Sequence, residues 1–184
     1  MRVVILGGMG MLGSMLVDVF RRKPEYEVVA TVRTEAQQAV CRQAAPDVQW
    51  VALDVGARLR VRHLSQLLHD TPWAINAIGV VKPCIDEGDS GSVAAAIEVN
   101  ALFPHRLAAA AAQVDCRVLQ IATDCVYTCG PDGAGGFYED ALHNPTDVYG
   151  KTKSLGEVGG AHVTHLRYTI AGPEIGPGRS LLAW

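Results

Sequence analysis

Tyr149 and Lys153 stand four residues apart in the run Tyr149-Gly-Lys-Thr-Lys153. On a helix that spacing puts both side chains on one face, so the lysine ammonium acts on the phenol and the pair can deliver a proton. A second chemistry-bearing segment lies near the N-terminus, Gly7-Gly-Met-Gly-Met-Leu-Gly13. Glycine permits positive φ and close backbone approach, and N–H groups freed at a helix start attract phosphate. Two registers fit, Gly7/Gly10/Gly13 and Gly8/Gly10/Gly13, and the second matches G-x-G-x-x-G literally. Gly7, Gly8, Met9, Gly10, Met11, Leu12 and Gly13 are therefore candidates to cradle a dinucleotide pyrophosphate. A proton donor and such a cradle in one chain imply hydride transfer to or from a carbonyl.

These residues need elements to hold them. The apolar run Val3-Val-Ile-Leu6 reads as a strand buried on both faces, and residues 11–22 have helical periodicity, so strand, turn and helix follow in the order the cradle requires. Further strand-like runs fall at 27–32, 48–53, 73–78, 116–122 and 162–170, with helical segments at 35–44, 57–69, 92–113 and 147–159. Alternating β and α elements predict a doubly wound parallel sheet with helices on both faces, a three-layer αβα architecture with right-handed crossovers. Ligands of such sheets bind at the carboxyl ends of the strands.

The residues at the strand ends are therefore the ligand-binding candidates. After the second strand comes Ala30-Thr-Val-Arg-Thr34, with no carboxylate to bond a ribose 2′-hydroxyl. Arg33 could face a 2′-phosphate, with Thr31 or Thr34 adding a hydroxyl, which favours NADP(H) and leaves NAD(H) open; nearby Glu35 complicates the choice. After the third strand, Asp54, next to Val55, could accept from an adenine amino group or cap the following helix. After the fourth, Ala77, Ile78 and Gly79 let the backbone run alongside a cofactor, while Lys82 either reaches a phosphate or substrate or is solvated. After the fifth, the hydroxyl of Thr123 could bond a substrate carbonyl or a local backbone group.

At this point the residues resemble the extended short-chain dehydrogenases/reductases, and among them the dTDP-4-dehydrorhamnose reductase-like sugar-nucleotide reductases. The markers are the glycine turn, Asn76-Ala-Ile-Gly79, Asn100-Ala-Leu-Phe-Pro104, Ala122-Thr-Asp-Cys-Val-Tyr127, the Tyr149/Lys153 run and Gly156-Glu157. The resemblance implies a Rossmann-type fold with Thr123, Tyr149 and Lys153 as catalytic trio. Asn100 would support a proton-relay water or serve as a structural kink partner, and Lys153 would also hold the nicotinamide ribose. The implied reaction is NAD(P)H-dependent reduction of a 4-keto group on a nucleotide-activated deoxysugar. An epimerase, or a dehydratase with Asp124 as its acid, is the alternative, as is a non-catalytic NADP-binding regulatory subunit. Relatives continue beyond Trp184, so the resemblance implies a cofactor domain at 1–172 and, at 173–184, the start of a substrate lobe largely missing. Apolar Leu181, Leu182 and Trp184 are expected to pack against what would follow, and a homodimer through helices on the sheet's flank is a further expectation.

Composition narrows the partners. With 184 residues, 49% hydrophobic and 19% charged, the chain can bury one core. A net charge of −3 argues against nucleic acid or an anionic membrane, and Arg21-Arg22-Lys23 reads as a solvated helix end. No apolar run is long enough to span a bilayer, so a cytoplasmic protein is expected. Cysteines at 41, 84, 116, 125 and 129 lack zinc or redox spacing, and are read as thiols with packing roles. Thiol chemistry at Cys125 and Cys129 is the alternative. His162 and His165 are expected on opposite faces of a strand, and no metal is assigned. The segment 128–146, rich in Gly, Pro and Asp, reads either as a lid tipped by 133–136 or as an exposed insertion.

Overall fold

The computed structural model describes residues 1–56, 58–128, 136–167 and 169. Six parallel strands form one sheet in the order β3-β2-β1-β4-β5-β6. The strands are β1 Arg2–Leu6, β2 Glu27–Val32, β3 Gln49–Ala52, β4 Trp73–Asn76, β5 Arg117–Ile121 and β6 Val163–Leu166. The helices are α1 Met11–Arg21, α2 Glu35–Ala44, α3 Val61–Leu68, α4 Ser90–Ile97, α5 Phe103–Gln113 and α6 Val148–Leu155. This is a Rossmann-type α/β fold, as expected.

Side-chain alternation along the strands builds two cores. Val4 and Leu6 join Val29, Leu64, Leu68, Phe103, Leu107 and Val118 under α3 and α5. Val3 and Ile5 join Val17, Val28, Ala30, Cys41 and Trp50 under α1 and α2. The strand order reverses at β1, whose neighbours are β2 and β4. Leu6 pairs with Asn76, and Asn76 with Gln120, so the chain leaves β1, β4 and β5 at nearly one level. Gly7, Ala77 and Thr123 thereby reach a common edge.

Element ends differ from the sequence reading where side chains redirect the backbone. The fourth strand stops at Asn76 because its own Oδ1 accepts the N–H of Ile78 at 3.1 Å, turning the chain. The third helix starts at Val61 rather than 57, so the capping alternative for Asp54 is overturned: its Oδ1 instead accepts Gly56 N–H in a local turn, at 3.2 Å. The single helix expected at 92–113 is three pieces. Asp89 caps α4 by accepting from Gly91 and Ser92, and a π-helical turn, Glu98–Leu102, joins it to α5. Pro104 lacks the N–H that would bond the Asn100 carbonyl in an α-helix, and its ring crowds that carbonyl, so the turn widens. The last helix ends at Leu155, where Gly156 bonds back to Thr152 and Lys153. His162 precedes β6, so only His165 belongs to that strand. Cys129, the 133–135 part of the proposed lid tip, Ile170, the segment 173–184 with its boundary, and Leu181, Leu182 and Trp184 lie outside the described residues.

No helix among the described residues is long and apolar enough to cross a membrane.

Candidate active site

The glycine turn adopts the register Gly7/Gly10/Gly13. Gly7 has φ +88°, its N–H goes to the Thr31 hydroxyl at 3.0 Å, and its carbonyl accepts from Gly10 at 3.0 Å. Gly13 packs on that carbonyl so tightly that an added Cβ would lie 2.0 Å from Gly7 O. Gly8 is needed for a different reason: a Cβ there would press on the Trp50 ring at 2.9 Å. No side chain caps α1 and its first turn holds no acid, which leaves its N–H groups and positive dipole end for an anion.

Beside the turn runs a groove of about 340 Å³, lined by Gly7, Met9, Gly10, Arg33, Val55 and Ala77 to Gly79, among others. Arg33 has no ion-pair partner among the described residues, and its backbone N–H is held by Gln37. The hydroxyls expected to assist it are committed elsewhere. Thr31 is buried under Gly7, and Thr34 caps α2 by accepting from Gln37 N–H at 3.2 Å. Asp54 is exposed and, unlike Leu53 and Val55, lines no part of the groove.

A second cavity of about 260 Å³ shares Ala77, Ile78 and Gly79 with the groove and contains Met11, Thr123, Asp124, Cys125, Tyr149 and Lys153. Leu12, like Gly8 and Gly13, lines neither cavity. Tyr149 and Lys153 both lie on α6, as their spacing predicts. Burial pushes the Tyr149 phenol above its usual value, opposed by a hydrogen bond with Thr123. Lys153 does not lower it as expected: the ammonium donates to the Ile121 carbonyl at 2.8 Å, and desolvation brings its own pKa down to about 8. Thr123 is buried and also accepts Cys125 N–H at 3.2 Å.

The start of α6 is clamped. Asp147 caps Gly150 at 2.7 Å and pairs with Lys82 at 2.8 Å, while Glu87 accepts Val148 N–H at 2.8 Å. Lys82 and the Gly150 N–H hold the Asp147 carboxyl below its usual range. Lys82 is thus tied to the helix carrying Tyr149. An Asp two residues before Tyr149 is a capping signal that was legible in the sequence.

Asn100 sits in the π-helical turn, buried, and lines neither cavity. Its amide pairs with both backbone groups of Val80, at 2.8 and 2.9 Å, and donates to Thr152 at 3.2 Å. Its carbonyl faces Gly156, where a Cβ would come within 2.0 Å. These bonds join the loop after β4 to Thr152 of the helix that carries Tyr149 and Lys153. Sequence reasoning also missed a buried amide pair under the cavities, in which Asn76 donates to Gln120 at 2.8 Å and Gln120 donates to Ile121 O at 3.2 Å. Lys153 shares that carbonyl.

Cys116 is buried, its thiol pushed up to about 11 by desolvation, and Cys41 is buried as well; Cys125 is exposed in the cavity that Thr123, Tyr149 and Lys153 line. No group of metal-ligating side chains occurs among the described residues.

No curated protein shows a significant sequence match. Among solved structures, UDP-glucuronic acid 4-epimerase from Bacillus cereus, in complex with UDP-4-deoxy-4-fluoro-glucuronic acid and NAD, aligns with a TM-score of 0.75 at 21% identity, over 95% of this chain and 59% of that one. A dTDP-4-dehydrorhamnose reductase from Clostridium acetobutylicum aligns at 0.67 and 24% identity, over 91% and 52%. Another, from Bacillus anthracis in complex with NADP, aligns at 0.66 and 20%, over 95% and 56%. The chain therefore spans somewhat more than half the length of these structures, and at such identities the likeness shows the fold. The sequence itself matches one family over residues 1–166, and the chain belongs to that family, described as the RmlD substrate binding domain.

Proposed function

We propose that this chain carries the cofactor and proton-transfer half of an NADP(H)-preferring oxidoreductase that reduces the 4-keto group of a nucleotide-activated deoxysugar. The observation that carries the reading is the convergence of Thr123, Tyr149 and Lys153 in one cavity that opens, across Ala77–Gly79, onto the groove beside the glycine turn. The residues fit a dinucleotide: α1 offers an uncapped N-terminus, Gly7 to Gly13 allow close approach, and Arg33 stands where a 2′-phosphate would need a cation. When bound, a dihydronicotinamide supplies the hydride. Thr123 and the Tyr149 hydroxyl bond the carbonyl oxygen, and as negative charge develops there Tyr149 gives up its proton, which solvent later restores. A phenol raised by burial stays protonated at neutral pH, as an acid must, and Lys153, a cation lining the same cavity, favours the negative charge that develops on the carbonyl oxygen. Asn100 is proposed as a positioning residue that fixes α6 against the loop after β4, rather than as a holder of water.

Two variants test this. Tyr149→Phe keeps volume and removes the acid, so NADPH oxidation with a 4-keto-6-deoxy sugar nucleotide should fall about 10²- to 10⁴-fold while nucleotide binding persists. Undiminished oxidation would exclude the phenol as acid. Arg33→Ala should weaken NADPH binding about 10- to 100-fold and leave NADH within about twofold, the loss expected for a charge-assisted phosphate contact. Equal weakening of both nucleotides would count against a role at the 2′-phosphate.

A dehydratase is the second reading, favoured by the exposed Asp124 in the same cavity beside Thr123, where a general acid would stand. It recycles hydride, so loss of water from the sugar nucleotide without net NADPH oxidation would distinguish it.

A further inference from the structure

Arg167, just past β6, faces Glu157, just past α6, together with Tyr127, Glu139 and His143. Arginine offers five N–H donors in a rigid fork, and here each finds an acceptor. Nε and Nη2 grip Glu157 at 2.7 and 2.6 Å, and Nη2 also reaches His143 Nε2 at 3.0 Å. Nη1 serves the Tyr127 hydroxyl at 2.8 Å and the Glu139 carbonyl at 2.7 Å. The guanidinium lies 5.5 Å from the Tyr127 ring centroid, and Tyr127 stacks on Phe137 at 4.6 Å. Arg167 therefore keeps no donor for an anionic ligand. Because an arginine only donates, His143 Nε2 must accept, which leaves its Nδ1 proton for Ser154 of α6 at 2.8 Å.

A cavity of about 440 Å³ lies against this cluster, walled by Tyr127, Phe137, Tyr138 and Arg167, and it shares Asp124 and Cys125 with the reaction cavity. We propose that Arg167 is a positioning residue that locks residues 136–143 against α6, so that the wall beside the reaction cavity is preformed before any substrate arrives. What the chamber holds rests on the function proposed above; the lock itself is read without turnover, so its failure and that of the function are distinguishable.

Glu157 faces Arg167, His143, His165 and, one turn back, Lys153, while Tyr127 and Glu139 face Arg167. Burial would raise the Glu157 carboxyl, but the Arg167 guanidinium brings it below its usual range. The Glu157 carboxylate lies 3.6 Å from the His143 imidazole, so the arginine and the imidazole sit on one carboxylate and hold it between β6 and residues 136–143.

The test is hydrogen exchange, expressed as protection, at the amides of Thr128, Ala141 and Asn144, which bond Asn144 Oδ1, Tyr138 O and Val126 O. Arg167→Lys keeps the charge but loses the fork, and should cut their protection about tenfold or more while β1 amides are unchanged. His143→Gln, which can both accept from Arg167 and donate to Ser154, should keep wild-type protection, whereas His143→Leu, which can do neither, should lose it about tenfold. Unchanged protection in Arg167→Lys, or an equal loss in β1, would overturn the proposal. Should that variant not fold, His143→Gln against His143→Leu decides: the proposal requires protection only in the former, and equal protection in both would overturn it.

Discussion

Gly13→Ala is expected to cost more than about 4 kcal/mol of stability and to abolish nucleotide binding. The new Cβ would lie 2.0 Å from Gly7 O and 2.7 Å from Gly7 C, both backbone atoms with no rotamer to change. Gly7 cannot retreat cheaply. Its φ of +88° suits glycine, its N–H is held by Thr31, and its carbonyl accepts from Gly10. Relief must come from lifting α1 off the turn, which undoes the alignment of its N-terminus with the groove. Denaturant unfolding and NADPH titration check the two halves of this result. Gly10→Ala is the control, since a Cβ there meets only Gly7 O, at a tolerable 3.4 Å.

Lys153→Met should move stability and chemistry in opposite directions. Burial holds the folded-state pKa near 8 against an ordinary 10.5, so below pH 8 the folded protein carries the full penalty of an ammonium out of water. Between those two values the unfolded chain binds more protons than the folded one, so stability rises with pH across this window. Methionine removes the penalty. The expected gain at pH 7 is about 1–3 kcal/mol, reduced from the full linkage value because the bond to Ile121 O and the attraction of Glu157 are lost. That gain should shrink above pH 8 and vanish near pH 10.5. Hydride transfer should meanwhile drop about 10²- to 10³-fold, since the cavity loses the cation that favours negative charge developing on the carbonyl oxygen. Thermal melts at neutral and alkaline pH check the first claim and NADPH oxidation the second. A variant less stable than the wild type at pH 7 would show that the hydrogen bond outweighs the buried charge.

The sequence made the backbone plan legible because local signals and tertiary demands agree there. The ranges 27–32 and 35–44 were read with the bounds the structure has, the first an apolar strand and the second a helix with its own Thr34–Gln37 cap. The helical placement of Tyr149 and Lys153 was equally plain from their spacing. What escaped were bonds between segments far apart in sequence. Nothing near Asn76 announces Gln120, and nothing near Arg167 announces Tyr127 or His143. The break in the expected 92–113 helix was present in principle, since Pro104 stands four residues after Asn100, but the π-helical turn also needs Gly156 to admit the displaced carbonyl. Lys82 and Thr34 stayed open in the sequence for the opposite reason. Each sits at a strand end where a ligand contact is plausible, and the fold also gives it a local partner, Asp147 or Gln37.

The most direct measurement is a calorimetric titration of the folded chain with NADPH. Saturable binding of one nucleotide per chain, abolished by Gly13→Ala and retained by Tyr149→Phe, is the result required if the glycine turn and the groove beside it form a dinucleotide site feeding the Thr123–Tyr149–Lys153 cavity. A folded wild-type chain that takes up neither NADPH nor NADH would contradict that claim and reduce the glycine turn to a packing device between β1 and α1.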